Sequence, residues 1–166
     1  MFTLKALSHE SVPGAMAKVE RYRLLNEPAQ AESICRDILA IQPENQEALI
    51  GFVLALSDQI PQDKKAFQNA LAAAGKLHSE YDRAYYSGLV WERRARALHH
   101  EGARGSQHSV YEWIVRALQY FASAESMRPP GNDDAVLRWN TCVRFLAQHP
   151  NLTPRTEEIP EAIVSE

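Results

Sequence analysis

The glycine-containing segment "HHEGARGSQ" begins with His99 and His100 and is followed by His108. Glu101 lies next to the first two histidines. Imidazole and carboxylate groups are common ligands of zinc and other transition metals. A metal site needs three or four ligands around one ion, whereas adjacent helical side chains point about 100° apart. This spacing disfavours a metal centre, so a small metal-dependent enzyme is the least favoured interpretation of the chain.

Other signatures of catalysis are missing from the sequence. It contains no glycine-rich phosphate-binding loop, no His-Glu-x-x-His motif and no nucleophile elbow. Glu112 could pair with Asp133 or Asp134 as carboxylates on neighbouring helices, but nothing in the sequence fixes their separation. We therefore predict a protein that is not an enzyme and that needs no metal or cofactor.

The stretch "RPPGNDDAVLRWN" combines turn residues, acids and a large polar cluster. Asn132 or Asp133 suits the N-cap of a following helix, and Asp134 precedes Arg138 by four residues, the favourable order for an exposed ion pair. These rules explain the first half of the stretch. Two interpretations of Arg138 and Trp139 remain: they pack and support the helix, or they form a recognition cluster.

Composition limits the class of protein. The chain has 166 residues, 45% of them hydrophobic and 23% charged, with a formal charge of −3 and a pI of about 6.1. These values predict one globular domain and argue against a nucleic-acid binder, and the basic run Arg93, Arg94 and Arg96 is interpreted as a solvated helix face. Neither a signal-peptide core nor an apolar stretch of membrane-spanning length is found, so we predict a cytoplasmic protein.

Helical periodicity dominates the chain. In "HSVYEWIVRALQYFASAESM" the apolar residues recur every three or four positions, which is typical of an amphipathic helix. The same reasoning predicts seven helices, separated by turn residues, near 14–25, 29–41, 45–58, 63–77, 81–100, 108–127 and 133–147. Residues 1–148 would form a single α-helical domain. Residues 149–166 would form a flexible tail containing proline and glutamate, ordered only if it docks on the domain.

Two of the predicted helices share one spacing. Ala31, Cys35, Ile38 and Pro43 are separated by the same gaps as Ala117, Phe121, Ala124 and Pro129. This spacing resembles the second helix of a tetratricopeptide repeat, and Gly88 and Trp91 resemble the small and aromatic residues of its first helix. The stretch "RPPGNDDAVLRWN" also resembles small bacterial repeat proteins whose activity is not assigned.

The resemblance implies an all-α fold. Antiparallel helix pairs would stack as a short right-handed tetratricopeptide-like solenoid, with the helix at 133–147 as a C-terminal cap. Five residues are predicted to lie in its core: Ala31, Trp113, Ala117, Phe121 and Ala124.

The resemblance also implies a concave peptide-binding groove lined by the first helix of each pair. Carried over by position, the groove residues are Leu54, Asp58, Tyr85, Leu89, Glu92, Arg93, Asn140 and Arg144. An aromatic, an aliphatic and two arginine side chains would suit a peptide with acidic and apolar side chains. The alternative is that these positions are solvated or paired with one another.

The predicted function is therefore a non-catalytic scaffold that binds a peptide or protein segment. Lysine and asparagine clamps for chaperone tails are missing, because Met16 and Glu20 occupy the matching positions. A rival interpretation is a structural subunit that self-associates, for example as a homodimer. It would use Trp139 or the N-terminal segment as its exposed apolar surface.

Overall fold

Seven α-helices build the fold, as a computed structural model of the chain shows for residues 1–155. No β-strand occurs in this part of the chain, and a short 3-10 turn, His9–Ser11, precedes the first helix. The helices are α1 (Val12–Leu24), α2 (Pro28–Ile41), α3 (Gln46–Asp58), α4 (Lys64–Ala74), α5 (Glu80–Glu101), α6 (Gln107–Ser126) and α7 (Asp134–Gln148). The all-α class and the seven helical segments predicted from periodicity are confirmed.

Short polar side chains and prolines fix where the helices begin. Asn45 accepts a hydrogen bond from the Ala48 amide at 2.9 Å, and Asp63 accepts one from the Lys65 amide at 2.8 Å. At α7 the N-cap residue Asp133 makes no side-chain cap, and the side-chain oxygen of Asn132 accepts from the Asp134 amide at 3.0 Å instead. A short polar side chain thus accepts a backbone amide at each of these three helix starts, and at α7 Asn132, one of the two predicted capping residues, does so.

Each helix packs against the next one in the chain, and the contact between α5 and α6 is the most extensive. The odd-numbered helices also contact one another in order: α1 with α3, α3 with α5, and α5 with α7. This packing of adjacent helices is consistent with a helical repeat.

The buried core contains the small residues that the shared spacing predicted. Ala31, Ala117, Phe121 and Ala124 have no exposed surface, which confirms them as core residues. Trp113 is only half-buried and lies at the edge of the apolar cluster between α5, α6 and α7. Its prediction as a core residue is therefore correct only in part, because its ring faces a charged side chain of α5.

Two helical glycines mark the closest approaches between helices. A Cβ atom added to Gly88 would lie 2.8 Å from Cε1 and 2.9 Å from Cδ1 of Phe121. A Cβ atom added to Gly51 would lie 3.1 Å from Val19 on α1 and 3.2 Å from Cys35 on α2. The absence of a side chain at these positions lets α5 approach α6, and α3 approach α1 and α2.

The chain beyond α7 docks on the domain for at least its first residues. Leu152 is 6% exposed and belongs to the same buried cluster as Val110 and Phe145. The Thr153 carbonyl oxygen lies 2.9 Å from Nδ1 of His108. The tail predicted from residue 149 thus begins with an anchored segment, and its remainder, from residue 156, lies outside the described residues. Within residues 1–155, no helix combines the length and apolarity that a membrane crossing requires.

Candidate functional site

Charged side chains connect the odd-numbered helices across one face of the molecule. Nε of Arg23 on α1 donates a hydrogen bond to Oδ2 of Asp58 on α3 at 2.8 Å. Arg93 on α5 donates to the other carboxylate oxygen of Asp58 and, at 3.2 Å, to the Leu54 carbonyl oxygen. A single half-buried carboxylate therefore ties three helices together.

A second carboxylate continues this connection from α5 to α7. Glu92 is 2% exposed, and its Oε1 accepts a hydrogen bond from Nε of Arg96 at 2.9 Å. Nη1 of Arg138 on α7 lies 3.7 Å from Oε2 of Glu92, an ion-pair distance that is too long for a hydrogen bond. Within residues 1–155, Oε2 has no hydrogen-bond partner. We call the connected residues the polar seam: Arg23, Asp58, Glu92, Arg93, Arg96 and Arg138.

The polar seam carries an excess of positive charge, because four guanidinium groups share two carboxylates. Burial lowers the pKa of Arg93, and the Asp58 carboxylate opposes that change. Burial also acts to lower the pKa of Arg138, but the Tyr85 hydroxyl and the Glu92 carboxylate outweigh it and raise the pKa. Arg93 and Arg138 remain charged despite these shifts, since arginine does not deprotonate in proteins.

Five of the eight predicted groove positions lie within or beside this seam. Asp58, Glu92 and Arg93 are paired inside it, as the alternative interpretation of these positions anticipated. Leu54 and Tyr85 adjoin the seam and are half-buried. The structure thus brings together charged groups from α3 and α5 with two apolar neighbours.

The other three groove positions differ from one another in exposure. Leu89 is 2% exposed and packs inside the cluster shared by α5, α6 and α7, so its side chain offers no surface to a ligand. Asn140 and Arg144 are exposed on α7. The predicted recognition cluster is divided, because Arg138 joins the polar seam whereas Trp139 is half-buried against apolar residues.

Sequence reasoning missed two members of the seam. Arg96 follows Glu92 by four residues, so the helical i,i+4 spacing could have identified this pair. Arg23 lies 35 residues before its partner Asp58, and no local pattern indicates that α1 and α3 meet there.

The basic run of α5 is not one solvated face. Arg93 faces α3, Arg96 pairs with the buried Glu92, and Arg94 lies between aromatic rings of α4 and α6. The prediction of a solvated run is therefore wrong. Neighbouring helical residues point in directions about 100° apart, and long arginine side chains reach different neighbours from there.

The histidines enter aromatic and backbone contacts. The ring of His99 lies 4.4 Å from that of His149 and 5.2 Å from that of Phe145, between ring centroids. Burial, with His149 and Arg96 nearby, lowers the pKa of His99. Across residues 1–155, His, Cys, Asp and Glu side chains form no group of three or more that could hold a metal ion.

No protein-family model matches the chain, and no significant match was found among curated proteins or among solved structures. The residues and their arrangement in an all-α fold of successively packed helices are therefore the basis for inferring a function.

Proposed function

We propose that the protein is a non-catalytic scaffold that binds a peptide or protein segment along the face formed by α1, α3, α5 and α7. The observation that carries this proposal is the excess of guanidinium groups in the polar seam, within a chain whose formal charge is −3. Such a face attracts carboxylates, and the fork of an arginine can bind one carboxylate while it contacts another.

The chemistry of the preferred segment follows from the neighbours of the seam. The half-buried Leu54 and Tyr85 supply apolar surface, and the exposed Asn140 and Arg144 supply polar groups. The pairing within the seam holds Arg93 and Arg138 in place before a ligand arrives, which reduces the entropy lost on binding. The proposed segment therefore combines acidic and apolar side chains.

We further propose a tetratricopeptide-like arrangement, with three helix pairs forming a right-handed solenoid and α7 serving as the cap. Two observations support this arrangement. The odd-numbered helices contact one another in order. Gly88 on α5 also lies against Phe121 on α6, a small residue against a bulky one, as the resemblance to a tetratricopeptide repeat implies. A cytoplasmic location remains part of the same proposal.

The test uses selection of random peptides on the full-length protein, followed by measurement of the affinity of each selected peptide. Arg144→Glu is the informative variant, because Arg144 is exposed and lies outside the seam. Arg104→Glu, with the same charge change in the loop between α5 and α6, is the matched control. We expect acidic and apolar residues to be enriched and the affinity to fall for Arg144→Glu alone. Basic peptides, or equal effects of both variants, would contradict the proposal.

Self-association is a second candidate, and the surface of α7 favours it. Leu137 is 62% exposed and Val143 is 44% exposed, whereas Trp139, the residue proposed first for this role, is half-buried. Light scattering after size-exclusion chromatography at several concentrations tests this candidate. A dimer that Leu137→Lys dissociates would support it, and a monomer at every concentration would remove it.

A further inference from the structure

The guanidinium group of Arg94 lies in an aromatic environment away from the polar seam. Its Cζ lies 3.9 Å from the ring centroid of Phe67 on α4 and 4.3 Å from that of Trp113 on α6. Both distances are well within the range of cation–π contacts. Two rings from different helices therefore hold this cation in place.

Among the residues that the structure describes, Arg94 lacks the acidic partner that Arg93 and Arg96 have. Arg93 pairs with Asp58, and Arg96 pairs with Glu92. Nε of Arg94 is buried and finds no hydrogen-bond acceptor among residues 1–155. Burial lowers the pKa of Arg94. Among residues 1–155 this guanidinium is thus held by aromatic rings and by no carboxylate, so an acidic ligand would supply the partner that it lacks.

A cleft of about 320 Å³ opens beside this guanidinium. Its apolar lining includes Ile60, Phe67, Leu98 and Trp113, and its charged lining consists of Lys64, Arg94 and Glu101. Small-molecule sites are typically apolar clefts of about 300–1,000 Å³ with a few polar groups that orient the ligand. The cleft is of that kind, at the small end of the range.

We propose that this cleft binds the carboxylate of a small organic acid that has an apolar body. The carboxylate accepts hydrogen bonds from Arg94, and the Lys64 ammonium adds attraction at the first residue of α4. The apolar body packs against Leu98 and the ring of Trp113. Within residues 1–155 the lining has two cations and the carboxylate of Glu101, which gives one net positive charge, so a monoanion balances it better than a dianion.

This site is separate from the proposed peptide-binding face. Arg94 reaches α4 and α6, whereas Arg93, one residue earlier, reaches α3. Failure of one proposal therefore does not affect the other, and a substitution in the cleft leaves the ion pairs of the polar seam intact.

The test titrates the full-length protein with benzoate and, as a neutral isostere, with benzamide. The side-chain Nε–Hε resonance of Arg94 is followed by nuclear magnetic resonance in the unsubstituted protein, so no variant needs to fold for this measurement. We expect the Arg94 resonance to shift saturably with benzoate. The dissociation constant of benzamide should be at least about tenfold larger, because a neutral amide cannot form the charge-assisted hydrogen bonds of a carboxylate. Equal binding of the two compounds, or a shift that does not saturate, would overturn the proposal.

Variants of the exposed lining give a second measurement. Lys64 and Glu101 are both exposed, so replacing them should leave the fold unchanged. Lys64→Ala should weaken benzoate binding by about threefold to tenfold, and Glu101→Gln should strengthen it, since one removes an attraction and the other a repulsion. Arg104→Ala, in the loop after α5, is the control and should bind like the unsubstituted protein. No change in either variant, or changes in the opposite directions, would overturn the proposal, because the carboxylate would then not lie beside these charges.

Discussion

Replacing Gly88 with alanine tests the close packing between α5 and α6. The added Cβ atom would lie 2.8 Å and 2.9 Å from two ring carbons of Phe121 and 3.1 Å from Cβ of Tyr120. Ordinary carbon contacts are about 3.5–4.0 Å, so the ring must move. Phe121 has no exposed surface and packs near Tyr85, with 6.0 Å between ring centroids, which leaves the ring little room.

The expected cost is a balance of two terms. Overpacking a core costs about 1–3 kcal/mol. Alanine regains about 0.5–1 kcal/mol over glycine within a helix. The net loss of unfolding free energy is therefore about 0–2.5 kcal/mol, or up to about 10 °C in melting temperature for a chain of this size. Relative to an alanine that meets no neighbour, the loss is the full overpacking cost of about 1–3 kcal/mol.

Urea denaturation of Gly88→Ala measures this loss, and Gly14→Ala is the matched control. Gly14 lies in α1, where an added Cβ atom would meet nothing within 4 Å, so that variant should be equally stable or more stable. Phe121→Leu makes room for the methyl group, so it should cost less in the Gly88→Ala background than alone. A Gly88→Ala protein as stable as Gly14→Ala, or additive double-variant costs, would refute the proposed contact.

Two further predictions concern the charged groups. Asp58→Ala should lower the unfolding free energy by about 1–3 kcal/mol, because both Arg23 and Arg93 lose their shared acceptor. Arg23→Ala should cost less, because Arg93 remains bound to Asp58. Equal losses for the two variants in urea denaturation would contradict this prediction. The pKa of His99 is lowered from its ordinary value of 6.5, so the folded state binds fewer protons than the unfolded state. The contribution of His99 to stability is then complete above about pH 6.5 and is lost as the pH falls below that value. The melting temperature of His99→Phe should therefore depend less on pH across this range than that of the unsubstituted protein.

The sequence predicted local structure well because the signals of helix boundaries are local. The turn residues between the predicted helices and the apolar periodicity each depend on residues within a turn or two, and the structure shows that Asn45 and Asp63 in these turns cap α3 and α4. The buried positions Ala31, Ala117 and Phe121 followed from the spacing that the two helices share and from the resemblance it carries.

The candidate site was harder to predict because it depends on which helices meet. Arg23 and Asp58 lie far apart in the sequence, so their pairing follows from the contact of α1 with α3. Leu89 was predicted to line a groove, but the rotation of α5 turns it into the core. A small error in the assumed rotation of a helix exchanges its exposed and buried positions. For the same reason, the sequence did not predict that Arg93 and Arg94 contact different helices.

The most direct test of the peptide-binding proposal maps a selected acidic and apolar peptide onto the protein by backbone amide chemical shifts. We predict that the perturbed amides lie on α3, α5 and α7, around Leu54, Tyr85, Asn140 and Arg144, with α2 and α4 unaffected. Perturbations concentrated on α2 and α4 would contradict the account, because they would place the binding surface away from the polar seam.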